Sequence, residues 1–327
     1  MNTVSHFSQI FSERLKLFVE TLNNKTPAEL YEPMQYILSL GGKRLRPVLA
    51  YLGNDLFNGN LYDAHPAALA IEIFHNFSLV HDDIMDKAPL RRGKATVHEK
   101  WNSNIAILSG DSLLVKAYEE LTKAKPEHLK LLIETFNKTA IEVCEGQQLD
   151  MNFENINEVS TNEYIRMITL KTAVLLGAAL KMGAITANAT FYDADNIYAF
   201  GKNIGIAFQL QDDILDVFGN PEKFGKKIGG DIIGNKKTWL LIEAKKQASG
   251  ALKEKLVHWI NLKDFNPSEK VSAIKSVYEE LNIKEQAEKE MAKYYQLALT
   301  HLSNINADKN KIQNLIDFAK ELLNREI

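Results

Sequence analysis

Apolar positions along this chain recur at helical rather than strand spacing over most of its length. The segment AALAIEIFHNFSLVHDDIMD at 67–86 contains no proline or glycine, and Leu69, Ile73, Phe77 and Ile84 fall near one helical face. The same reading predicts helices over 127–145, 163–182, 193–218, 237–260, 268–281 and 283–302. Ser268, behind Pro267 and followed by Glu269, marks a helix start. β-Branched alternating runs closed by Asn-Gly turns are nearly absent, so the pattern predicts an all-α chain. Eight prolines and 17 glycines in 327 residues leave room for elements of that length.

No repeat of fixed period, low-complexity tract or interdomain linker interrupts the pattern, and one domain over 1–327 is expected. The richest breaker region, 219–234, is charged and reads as a functional loop rather than a hinge. The charge-dense run 284–293 reads as a solvated helix face.

Composition narrows the classes. With 45% hydrophobic and 25% charged residues, the chain is neither disordered nor collagen-like. Lys and Arg number 39 against 42 Asp and Glu, so the net charge of −3 gives no electrostatic reason to expect nucleic acid. The one cysteine, Cys144, forms no intrachain disulfide and excludes a cysteine-based structural zinc site. It reads as a core position, and a reducing, cytoplasmic setting fits it. The N-terminus lacks a basic segment followed by an apolar one, so no secretory signal is expected. The longest apolar stretch, 173–180, is closed by Lys171 and Lys181, far short of the roughly 20 residues that span a bilayer, so no membrane span is expected.

Two acidic clusters stand out against this background. Asp82-Asp83-Ile84-Met85-Asp86 and Asp212-Asp213-Ile214-Leu215-Asp216 share the form Asp-Asp-x-x-Asp, and both end apolar helical runs. Residues four apart share a helix face, so Asp82 points with Asp86 and Asp212 with Asp216. Like charges so placed repel, the more so among apolar neighbours, and require something positive. Hard oxygen donors with positions left for water and phosphate suit Mg²⁺. One such cluster is as easily a solvated helix end, but two with identical spacing point to chemistry.

Basic groups supply the other half. Gly41-Gly42-Lys43-Arg44-Leu45-Arg46 sets three cations behind a glycine pair. Arg91 and Arg92 follow the first acidic cluster, and Lys226, Lys227, Lys236 and Lys237 the second. Each cluster alone is ordinary surface, but paired with the carboxylates they suit two diphosphates. No P-loop is present, because Asn235 stands where the lysine belongs after Gly229 to Gly234, and no GxGxxG occurs, which argues against a nucleotide.

With these motifs in this order, the chain resembles the trans-type isoprenyl diphosphate synthases, the polyprenyl synthetase family. The resemblance spans 41–239 and rests on GGKRLRP (41–47), HDDIMD (81–86), LRRGKATVH (90–98), GDSLL (110–114), GQQLD (146–150), KTA (171–173), FQLQDDILD (208–216), GKKIGGD (225–231) and GNKKTW (234–239). Beyond about 245 only the helical pattern speaks.

The resemblance implies an all-α isoprenoid synthase fold, a large helical bundle around a deep cavity, working as a homodimer. It implies Asp82 and Asp86 as ligands of two Mg²⁺ ions and Asp212 of a third, with Asp83, Asp213 and Asp216 as supporting carboxylates. Arg91, Lys171, Lys236 and one of Lys226 or Lys227 would contact an allylic diphosphate, and Lys43, Arg46, His75 and Arg92 isopentenyl diphosphate. Thr172 and Gln209 would flank the developing cation. His81 reads as a helix residue hydrogen-bonded nearby rather than a metal ligand.

Product length is expected from the residues four and five before Asp82. Ser78 is small and Phe77 large, without an insertion in the Asp motif, which in this family goes with the C20 product geranylgeranyl diphosphate. Farnesyl diphosphate is the alternative. A class I terpene cyclase would not need the second diphosphate site. A histidine-aspartate phosphohydrolase would need more histidines, and a non-catalytic partner subunit would have lost aspartates.

Overall fold

The computed structural model describes residues 3–220 and 228–324. In chain order the elements are α1 (Thr3–Glu20), α2 (Ala28–Ser39), α3 (Leu45–Leu56), α4 (Leu61–Met85), β1 (Leu90–Arg91), β2 (Lys94–Ala95), α5 (Val97–Lys100), α6 (Ser103–Leu121), α7 (Pro126–Asn155) and α8 (Thr161–Ile168). A π-helical turn (Thr169–Ala173) leads into α9 (Val174–Thr186), α10 (Phe191–Phe218), α11 (Gly230–Ile233), α12 (Trp239–Gln247), α13 (Gly250–Asn261), α14 (Pro267–Glu280), α15 (Ile283–Ser303) and α16 (Lys309–Leu323).

The chain divides into two compact units, one of residues 1–139, 178–198 and 304–315, the other of 140–177, 199–303 and 316–327. In the first, α4 packs against α3 and α6. Its buried set runs all round the helix, from Ala64, Ala67 and Ala68 through Ile71, Ile73, Phe74 and Val80, as a core helix requires. Asn60 caps it, accepting from the Tyr62 amide at 3.0 Å. Helices α3 and α9 meet backbone to backbone. A Cβ on Gly53 would lie 2.2 Å from the Leu180 carbonyl oxygen, and one on Gly183 would lie 1.9 Å from that of Ala50.

The all-α expectation meets one exception. β1 and β2 pair antiparallel, with Leu90 opposite Ala95 and Arg91 opposite Lys94. The turn puts φ at +52° for Arg92 and +73° for Gly93, the geometry of a two-residue type I′ hairpin. Strands of two residues leave no alternation to read.

In the second unit, Phe153, Tyr164, Met167, Leu210, Ile214, Trp239 and Tyr278 belong to one core. Ser160 and Glu163 form a reciprocal capping box that starts α8 slightly before the predicted boundary. Asn266 caps α14 with Pro267 as its first residue, one step before the predicted start. The single helix expected over 237–260 is two, broken at Ala248-Ser249-Gly250 where Gly250 takes φ +52°.

The continuous helical stretch Thr161–Thr186 has the length and composition to cross a membrane, against the sequence expectation, yet 72% of its apolar window is buried in the protein. That is the signature of a core helix. Cys144 is exposed, not core: it faces out from α7, whose period carries neighbouring Val143 inward. The run 284–293 lies on α15 with Lys284 near Glu288 at 3.7 Å and Lys293 near Glu290 at 2.8 Å, as a solvated face would.

Candidate active site

In the first unit, α4 ends on the first acidic cluster. A helix C-terminus already carries partial negative charge, so carboxylates there need a cation. Arg91, on the hairpin, supplies it, donating to Asp83 from Nε at 2.8 Å and Nη2 at 2.7 Å, with Nη2 also 3.4 Å from Asp82. Asp83 is buried, which pushes its carboxyl up, and the Arg91 bonds pull it partly back. Burial works against the Arg91 charge, but Asp83, Asp82 and Asp86 outweigh it and raise its pKa. Asp82 is half-buried and Asp86 exposed. His81 lies 3.3 Å from the Ile107 carbonyl and beside Phe77, with ring centroids 4.7 Å apart, in line with its structural reading. Gly110 in GDSLL makes room, since a Cβ there would sit 2.4 Å from His81 Nε2.

The same unit gathers the basic groups. Gly41 and Gly42 take φ +80° and +123°, and a Gly42 Cβ would lie 2.8 Å from the Arg92 guanidinium carbon, so the glycine pair is required twice over. Arg92 donates to the Gly41 carbonyl. Arg44, which the sequence left without a role, pairs with buried Glu72 and donates to the Leu38 carbonyl at 2.6 Å. That anchors the loop carrying Lys43, and Glu72 also accepts from Asn76 at 3.2 Å. A lone acid inside the apolar run AIEIF was the available signal for Glu72.

Arg46 Nη1 lies 3.0 Å from His75 Nε2. Arginine only donates, so that nitrogen accepts and the imidazole proton sits on Nδ1. Burial first, then Arg46, Arg92, Arg91 and Arg44, hold His75 well below its ordinary pKa and therefore neutral. Burial pushes Arg46 down to about 10, with Glu72 opposing, so it stays charged at neutral pH. Its Nε is buried without a hydrogen-bond partner, a donor an anion's oxygen would satisfy.

The second unit holds the second acidic cluster near the end of α10. Asp213 is buried and accepts from Tyr164 Oη and, at 3.3 Å, from Gln209 Nε2. Burial, then Asp231, push its carboxyl well above the usual range. Asp216 accepts from the Asp231 amide at 3.0 Å and so ties down α11, and Lys236 lies 3.6 Å from Asp231. Lys226 and Lys227 lie outside the described residues.

Lys171 and Thr172 sit on the π-helical turn, a distortion common at functional sites. Two glycines press neighbouring helices onto it. A Cβ on Gly146 of α7 would lie 2.2 Å from the Lys171 amide nitrogen, and one on Gly205 of α10 would lie 2.6 Å from Ala173 Cα. Lys171 pairs with Asp150 at 2.5 Å, which gives GQQLD its role at both ends. Thr172 Oγ1 donates to Gln209 Oε1 at 3.4 Å.

Among the described residues, no three His, Cys, Asp or Glu side chains gather into a ready cage for an ion. Carboxylate pairs are nevertheless the donor set Mg²⁺ takes, because it keeps waters and phosphate oxygens for its other positions. The residues present therefore fit Mg²⁺ held together with a diphosphate.

The polyprenyl synthetase family pattern matches residues 27–281 and encloses all nine motifs. The chain belongs to the polyprenyl synthetase family. A geranylgeranyl diphosphate synthase of Methanosarcina mazei is 43% identical over 227 residues, covering 69% of this chain and 70% of that protein. A short chain isoprenyl diphosphate synthase of Methanothermobacter thermautotrophicus is 38% identical over 258 residues, covering 79% and 78%. A crystal structure of geranylgeranyl pyrophosphate synthase matches over 100% of both chains at 42% identity with a TM-score of 0.94. The fold is the all-α isoprenoid synthase fold, and this polyprenyl synthetase is a prenyltransferase.

Proposed function

We propose that this prenyltransferase joins isopentenyl diphosphate to allylic diphosphates (dimethylallyl, geranyl and farnesyl) head to tail and releases geranylgeranyl diphosphate. The observation that carries the reading is the pairing of two Asp-Asp-x-x-Asp clusters with a separate cationic group of Arg46, Arg92 and neutral His75. A one-substrate cyclase has no use for that second diphosphate site. Relatives named geranylgeranyl diphosphate synthase support the C20 product.

Asp82 and Asp86 would hold two Mg²⁺ ions and Asp212 a third, with Asp83, Asp213 and Asp216 supporting. When bound, Mg²⁺ supplies positive charge against the diphosphate that leaves. Arg91, Lys171, Lys236 and one of Lys226 or Lys227 bind that diphosphate, and their cationic donors strengthen as its charge grows in the transition state. Lys43, Arg46, His75 and Arg92 orient isopentenyl diphosphate so that its double bond attacks the allylic carbon. Thr172 and Gln209 offer oxygens to the developing cation. Apolar helix faces exclude the water that would quench it. No motif residue is an evident base, and the departed diphosphate takes the proton. The protein works in the cytoplasm as one domain per chain and as a homodimer, a reading that the exposed Ile107, Leu108 and Val115 of α6 support.

The test is product analysis with labelled isopentenyl diphosphate and each of the C5, C10 and C15 allylic primers, with and without Mg²⁺. A C20 product that needs both substrates and the metal is expected. Product from an allylic diphosphate alone would sink the reading in favour of a cyclase.

A further inference from the structure

Tyr164 belongs to none of the sequence motifs, yet its buried hydroxyl stands at the head of a hydrogen-bonded chain in the second unit. It donates to Asp213 Oδ2. The other carboxylate oxygen, Oδ1, accepts from Gln209 Nε2 at 3.3 Å, one turn back along α10. With its nitrogen held there, the Gln209 amide turns its oxygen the other way, where it accepts from Thr172 Oγ1 at 3.4 Å on the π-helical turn. Four side chains from α8, α10 and the π-helical turn are thus linked, with two donating arms that converge on the Asp213 carboxylate, Tyr164 on one side and Thr172 through Gln209 on the other.

The orientation of the Gln209 amide has chemical content. A glutamine amide is a dipole with two opposite ends, and packing distinguishes its oxygen from its nitrogen poorly, so hydrogen bonds must choose. The oxygen end stabilises nearby positive charge, and the N–H₂ end opposes it. A carboxylate acceptor pins the nitrogen only if its own plane is fixed, and the Tyr164 hydroxyl fixes that plane from the far side. Preorganised dipoles of this kind lower a barrier because no reorientation is needed as charge develops.

We propose that Tyr164 is a positioning residue for the condensation: through Asp213 it holds the Gln209 amide so that its oxygen, with the Thr172 hydroxyl, serves the positive charge developing on the allylic carbon. The proposal rests on the reading of Thr172 and Gln209 as the groups flanking that cation. Tyr164 itself touches no substrate.

The test is steady-state kinetics on the full-length protein with Mg²⁺, isopentenyl diphosphate and an allylic diphosphate, for Tyr164→Phe, Gln209→Ala and the double variant. Tyr164→Phe keeps the ring and removes only the donor. It is expected to lower kcat about tenfold while both KM values stay within about twofold, the pattern of an interaction expressed in the transition state. The double variant is expected to be no slower than Gln209→Ala alone, because both act through one amide. A purely structural tyrosine would give losses that multiply, and that result overturns the proposal. So does a folded Tyr164→Phe with wild-type kcat while Gln209→Ala is impaired. Wild-type kcat in Gln209→Ala removes the underlying reading as well, which separates the two failures. Should Tyr164→Phe not fold, Asp213→Asn takes its place in the same double-variant comparison, with non-multiplying losses expected and multiplying losses overturning the link.

Discussion

Asp82 lies in the last turn and Asp86 at the C-cap of a helix whose own dipole opposes them, beside a third carboxylate on Asp83. Stability alone does not favour that arrangement, and the close bonds of Arg91 go to Asp83 rather than to Asp82. Removing a cluster carboxylate should therefore spare the fold and cost the reaction. Asp82→Ala and Asp212→Ala are each expected to keep the wild-type helical circular dichroism and to lose about 10²-fold or more in kcat, the scale of lost charge stabilisation in a transition state. Near wild-type turnover in either variant with Mg²⁺ present would remove that cluster from the mechanism. Arg92 is a different case. Its guanidinium rests on the Gly41 carbonyl and over Gly42, beside the group of Arg44, Glu72, Arg46 and His75. Arg92→Ala should raise KM for isopentenyl diphosphate about tenfold or more and leave the allylic KM within about twofold, because it removes binding to one substrate only. A selective rise in the allylic KM would reverse the assignment of the two diphosphate sites.

At the scale of an element, the period of α4 puts residues proposed for substrate and for metal on one helix. His75, Ser78 and Asp82 are spaced three and four apart and share one face. Phe77 lies on the next face, half-buried, with its ring 4.7 Å from His81 and 5.6 Å from Phe74. A partly exposed ring at this level suits a floor for the growing chain better than a pure packing role. Phe77→Ala is expected to shift the main product by one or more C5 units beyond C20, read by chromatography of the dephosphorylated products. Unchanged length at retained activity would place the floor elsewhere. The helix and its Asp faces were legible in the sequence because a 3.6-residue period survives over 20 residues. The hairpin at Leu90–Ala95 and the break at Ala248–Gly250 were not, because two or three residues carry no period. Nor were Tyr164 and Glu72 as partners of the site, since what defines them is the buried atom each one meets. Arg44 was visible as a cation, but its inward anchoring role depends on φ +48° and on the approach of Glu72, which the folded backbone alone sets.

At the scale of the molecule, the surface of α6 bears on how the chain assembles. Leu108 and Val115 are 59% and 58% exposed and seven residues apart, so they share a face, with Ile107 at 42% beside them. Single exposed apolar residues are ordinary on any protein, but a repeated apolar face on a helix otherwise packed against α4 and α2 asks for a cover. A second copy of the chain is the cover proposed here. An interface held by aliphatic side chains should be nearly indifferent to salt, unlike one held by exposed ion pairs. Sedimentation at physiological and at high salt is therefore expected to give about twice the 37.0 kDa chain mass in both conditions. Leu108→Asp with Val115→Asp places charges on that face without touching any residue assigned to the reaction, and should raise the dissociation constant of the pair strongly. A fully active wild-type monomer would overturn the homodimer. A dimer unaffected by the double substitution would keep the homodimer but move its interface away from this face of α6.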